Sequence, residues 1–153
     1  MCRVHHVFFR YFSLTRAYVI AVVMGVLFVA PISSASAAGQ ILVPPDGGIV
    51  PERYRVSGTI TERLPDGYHL WIVVRRGALM WPKKPEAFVV GTSWETTISE
   101  GGRGEYQLVL FLVDSAGQRS IEQWLRVGDR EMHFPGLGTI VGGVALDRIT
   151  VQR

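Results

Sequence analysis

Two kinds of apolar pattern alternate along the chain from residue 40 onward. Tyr54, Val56, Gly58 and Ile60 fall on one side of the alternation, and Arg53, Arg55, Ser57, Thr59 and Thr61 on the other. That period of two predicts a strand with one wet face. Trp94, Thr96 and Ile98 against Glu95, Thr97 and Ser99 repeat it. By contrast, Tyr68–Arg76 (YHLWIVVRR) and Glu105–Asp114 (EYQLVLFLVD) are apolar on both faces, which predicts central strands covered on two sides. Shorter strands are predicted at 41–43, 87–90 and 145–152, with a turn around Leu79-Met80-Trp81 between Gly77 and Pro82.

After Asp114 the period lengthens. Ser115 and Gln118 have the spacing of a capping box, and Ile121, Trp124 and Leu125 recur as a helical stripe. Gly128 is placed to end the element, so the pattern predicts one helix over 116–127. Its stripe needs a surface to cover, and the doubly apolar strand at 105–113 supplies one. A glycine-rich loop from Phe134 to Gly143 then leads to the last strand. There Leu146 falls out of phase with Ile149 and Val151, which predicts a bulge. Short strands separated by Asp-Gly and Gly-Gly turns, with one helix before the last strand, predict a mainly β chain folded as an antiparallel β-sandwich.

The first 38 residues follow another logic. Arg3, Arg10 and Arg16 stand in a stretch without acids, and Ala17–Ala30 (AYVIAVVMGVLFVA) is an unbroken apolar run. Pro31 and the small residues Ser33–Ala38 follow. This is the layout of a secretory signal peptide. The run is shorter than the roughly 20 apolar residues a spanning helix needs, so the expectation is cleavage after Ala37 or Ala38. The product is an exported domain, 39–153, without a permanent membrane span.

Charge changes the picture only through its distribution. The net +3 of the whole chain is carried by those three N-terminal arginines. The remaining Lys and Arg equal the 13 Asp and Glu, so the domain has no general field to draw it onto a phosphate backbone, and nucleic acid is not an expected partner. The only cysteine is Cys2, which leaves the domain without an internal disulfide and dependent on apolar burial and sheet hydrogen bonds.

The stretch Pro44-x-x-Gly47-Gly48-x-Val50, followed by Val56-Ser57-Gly58-Thr59, resembles the opening of bacterial secreted immunoglobulin-like domains. Leu70-Trp71-x-Val73-Val74, Trp81-Pro82, Trp94 and the Phe134–Leu137 loop are similar to one branch of that group. The resemblance implies an immunoglobulin-like sandwich and export. It implies no activity, and its motifs are structural.

Candidate chemistry is sparse. His69 and His133 are the histidines of the domain, and neither has the neighbours of a zinc site. No Gly-x-Ser-x-Gly elbow is present, and a serine triad would have to assemble in space from Ser57, Ser93 or Ser120. Gly136–Gly143 follows a helix and precedes a strand, the reverse of a phosphate-cradling loop. No metal or cofactor is expected. The candidate surface is Arg75, Arg76, Lys83 and Lys84 around Trp81, four cations and an aromatic that the turn places near one end of the sandwich. Such a surface suits an envelope component or another secreted protein, anionic in character, with Glu86 and its neighbours as alternative counter-charges. Trp71, Trp94 and Trp124 are expected in the core and Trp81 partly exposed. The expected function is therefore a non-enzymatic binding or structural module of the bacterial cell envelope, periplasmic, cell-surface or extracellular. The alternatives are a carbohydrate-binding module built on Trp81, a small hydrolase, and a subunit of a larger secreted enzyme.

Overall fold

The computed structural model describes residues 39–153; the segment read as an export signal lies outside them. Strands β1 (Gly39–Val43), β2 (Gly48–Ile49), β3 (Arg53–Ile60), β4 (His69–Arg76), β5 (Leu79–Pro82), β6 (Phe88–Val90), β7 (Ser93–Ser99) and β8 (Glu105–Val113) precede helix α1 (Ser115–Glu131), and β9 (Gly143–Gln152) follows it. They form two sheets in the orders β1-β3-β7-β6 and β2-β9-β8-β4-β5. The first is the ABED order of an immunoglobulin sandwich; β9-β8-β4 is its GFC sheet, with β5 added beside the third strand as in variable-type domains. The pairing is antiparallel throughout these sheets except at β2, a two-residue strand that runs parallel to β9.

The alternating strands β3 and β7 turn one face inward. Val56, Trp94 and Ile98 meet Ile72, Leu108 and Leu110 from the facing sheet, all buried to 2% exposure or less. The pairing of Gly58 with Trp94 explains the glycine: a Cβ at 58 would overlap the Gln40 carbonyl oxygen and stand 2.8 Å from the indole Cζ2. Omitting that side chain lets β1 close on β3 while the indole lies across the gap.

The doubly apolar strands have a second partner. Trp71, Val73, Val109, Phe111 and Val113 point away from the sandwich and pack with Ile121 of α1 and Ile140 of the following loop. The domain thus has three layers rather than two: sheet, sheet, and a helix with its loop. The strands predicted to be covered on both faces are covered by different materials on each. The predicted bulge is present as well. Register slips between Leu110 and Phe111, which pair with Asp147 and Ala145 and skip Leu146.

Local details of α1 differ from expectation. Its N-cap is Asp114, whose Oδ1 accepts from Ala116 N at 2.9 Å and Gly117 N at 2.8 Å, so the residue before Ser115 satisfies the orphan donors. Ser115 Oγ instead donates to the Gly67 carbonyl at 2.9 Å. The helix also runs through Gly128 to Glu131, and the left-handed residue that stops it is Met132 (φ 52°). Gly128 is there for packing, since a Cβ would collide with the Phe134 ring.

Gln118 does tertiary work in place of capping. Its Oε1 accepts from Trp71 Nε1 at 2.6 Å, and its Nε2 donates to Glu86 Oε2 at 3.0 Å and to Glu122 Oε1 at 2.9 Å. Glu86 Oε1 in turn lies 2.8 Å from His69 Nδ1. This chain ties the helix to β4. Gln118→Leu strands the indole N–H and is expected to cost about 1–3 kcal/mol. Hydrogen exchange should show faster opening across α1 while β3 and β7 keep their protection; uniform acceleration would contradict this assignment.

Candidate binding cleft

The aromatic residues beside β5 are positioned by a return of the chain along its edge. Met80 N donates to Leu137 O and Leu137 N donates to Met80 O, both at 2.9 Å. These bonds draw the 134–137 stretch along β5 and cover part of an edge that would otherwise be open. Gly136 permits the approach, since a Cβ there would lie 2.7 Å from Trp81 Cζ2 and 2.9 Å from Leu79 Cβ. Trp81 Nε1 donates to Phe134 O at 3.0 Å, and Trp124 Nε1 donates to Pro135 O at 3.0 Å. Consecutive carbonyls thus hold two indoles from different elements. The Trp124 and Phe134 rings stand 5.3 Å apart at 59°, a tilted arrangement favoured by aromatic quadrupoles.

Between them lies an open cleft of about 310 Å³, walled by Trp81, Trp124 and Phe134, with Lys83, Lys84 and Ser99 contributing polar atoms. All three rings are half-buried, so each keeps some surface available. Lys84 Nζ is 2.6 Å from Asp129 Oδ1 and 5.9 Å from the Phe134 ring centre. Being exposed, that ion pair contributes little to stability and opens easily.

Lys83 is committed elsewhere. Its Nζ lies 2.7 Å from Glu100 Oε2, and Glu100 Oε1 accepts from Gly102 N at 2.7 Å and stands 3.8 Å from Arg76 Nη2. Arg76 covers the Tyr106 ring at 4.7 Å, and Tyr106 shares a 2.9 Å hydroxyl contact with Tyr54. Burial raises the Glu100 carboxyl pKa, but the Lys83 ammonium, the Gly102 N–H and Arg76 outweigh it and hold the group below its ordinary value. Burial pushes both tyrosine hydroxyls up.

The five residues singled out from sequence therefore divide. Trp81, Lys83 and Lys84 share the cleft; Arg75 and Arg76 line another depression, with Gln107 and Arg148. The counter-charges of Arg76, Lys83 and Lys84 are Glu100 and Asp129, while Glu86 serves His69 and Gln118. Trp81 is partly exposed as expected. Trp124, expected in the core, is half-buried at the cleft, and Phe134 joins it. The helical stripe alone could not separate Trp124 from Ile121, because the covering surface ends before Trp124 reaches it. Among the described residues no three His, Cys, Asp or Glu side chains gather where they could hold a metal ion.

No family model matches this chain, and no curated protein matches it. No helix among the described residues is long and apolar enough to cross a membrane.

Proposed function

We propose that this chain is a non-enzymatic binding module of the bacterial envelope, exported behind its N-terminal segment, and that it takes a carbohydrate ring in the cleft beside β5. The observation that carries the reading is the pair of indoles anchored to adjacent carbonyls, facing one cleft with Phe134. Aromatic rings fixed in this way offer flat apolar faces at little entropic cost, which suits the C–H faces of a pyranose. Lys84, Asp129 and Ser99 supply donors and acceptors for hydroxyl groups at the rim. A purely electrostatic surface is less well supported, because Lys83 and Arg76 are already engaged with Glu100. The basic, acid-free start and the apolar run of the first 38 residues support export.

Titration of tryptophan fluorescence with soluble N-acetylhexosamine and hexose oligosaccharides tests the proposal. Saturable quenching is expected with one series, and it should fall about tenfold or more in Trp81→Ala and in Trp124→Ala, each of which removes one stacking wall. Lys84→Ala, on the exposed rim, should weaken it less. The proposal fails if neither series quenches, or if the tryptophan variants respond like the parent.

A further inference from the structure

On the outer face of the larger sheet, α1 and its loop pack on Trp71, Val73, Val109, Phe111 and Val113, and the same face also carries two arginines without an ion-pair partner. Register places them. Arg75 on β4 pairs with Gln107 on β8, Gln107 pairs with Thr150 on β9, and Val109, two residues along β8, pairs with Arg148. Directly paired residues share a face, as do residues two apart on one strand, so Arg75, Gln107, Val109, Arg148 and Thr150 look out together. Arg75 and Arg148 line the same depression of about 410 Å³, with Arg76, Gln107 and Glu105. A second depression, lined by Met80, Val109, Phe111 and Asp147 together with Arg75 and Arg148, adjoins it.

Arg75 and Arg148, like Arg53, Arg63, Arg103 and Arg119, are absent from the ion pairs of the described residues, whereas Arg55, Arg76, Arg126, Arg130 and Arg153 have carboxylate partners. The Arg75 guanidinium is oriented by one bond, Nε to Gly77 O at 3.0 Å, which leaves its two terminal nitrogens unbonded. Like charges flanking one strand repel; Arg75 and Arg148 share the depression with one carboxylate, Glu105, while Asp147 lines the adjoining one and Arg76 is engaged with Glu100. The strands carrying Arg75 and Arg148 lie about 10 Å apart, two sheet spacings, and the two residues are offset by one cross-strand row, a diagonal span within reach of two long arginine side chains.

We propose that Arg75 and Arg148 form a second, anion-binding site that grips a phosphate group across β8, with Gln107 as a neutral donor between them. Two forked guanidiniums present a charge of +2 and several in-plane N–H groups. A phosphomonoester, near −2 at neutral pH, balances that charge better than a single carboxylate does. The site lies on a different part of the fold from the aromatic cleft and stands or falls without it.

The test uses the purified protein and pyrophosphate as the probe. Arginine Nε–H signals are followed by NMR during titration at fixed ionic strength. Saturable shifts at Arg75 and Arg148 are expected, with little change at Arg63 and Arg103, which are exposed on other segments. Arg75→Gln and Arg148→Gln should each weaken binding about tenfold, the loss of one charged hydrogen-bonding partner, and leave β3 and β7 amide shifts unaltered. Equal shifts at all four arginines would reduce the effect to charge screening and overturn the site. Succinate binding as tightly as pyrophosphate would overturn the assignment to phosphate.

Discussion

Trp94→Ala is expected to lower the free energy of unfolding by about 3–5 kcal/mol, measurable as a fall in the denaturant midpoint with the slope unchanged. The indole is 2% exposed, sits between the sheets, and donates Nε1 to the Thr59 carbonyl at 3.2 Å. Its neighbour across the ladder is Gly58, which has no side chain to move into the space. The main chain cannot easily close the gap, because β1 is already held tight against β3 at that point. Collapse is thus blocked from both sides, which places the cost toward the upper end of the range for large-to-small changes. Trp94→Phe retains much of the volume and should lose less than half as much. A loss below about 1 kcal/mol for alanine would mean that the inter-sheet core does not depend on this ring.

Glu100→Gln should cost about 3 kcal/mol near neutral pH, at the low end for breaking a buried ion pair, because it leaves two cations facing a neutral amide. Glu100 is 8% exposed as a residue, and the Lys83 side chain is 20% and the Arg76 side chain 31% exposed. Arg76 Nη2 is already buried without a hydrogen bond, so removing its ion-pair partner leaves that nitrogen less compensated. The pH dependence has a definite sign. The folded state holds this carboxyl below its ordinary value of 4.5, so its contribution is present above that value and is lost as pH falls through the folded one. The stability difference between parent and variant should therefore shrink below about pH 4. A difference that is constant from pH 7 to pH 3 would show that folding does not lower the Glu100 pKa.

The alternating strands could be read residue by residue from sequence, because each buries one face and wets the other. The two doubly apolar strands could also be read, although the pattern did not say that one covering would be a sheet and the other a helix. Elements that owe their state to distant partners were hidden. Leu79–Pro82 reads as a turn because four residues between Gly77 and a proline carry no periodic signal; pairing with β4 and the 134–137 stretch makes it a strand. The two residues of β2 are invisible inside their Pro-Gly cluster for the same reason. Gly128 reads as a stop, yet the reason for a glycine there is the Phe134 ring, and the helix end lies beyond it. The cleft was half legible: Trp81 and the lysines are close in sequence, whereas Trp124 and Phe134 reach it through tertiary contacts that spacing does not encode.

The excursion that carries α1 leaves the sheet at Val113 and returns at Gly143, and those two residues are directly paired. A tight hairpin could therefore join β8 to β9 without disturbing the sandwich topology. Such a shortened chain would lay bare Trp71, Val73, Val109, Phe111 and Val113 as one contiguous oily panel and would be prone to stick to its own copies. The inserted helix thus makes freedom from self-association a property of a removable cover.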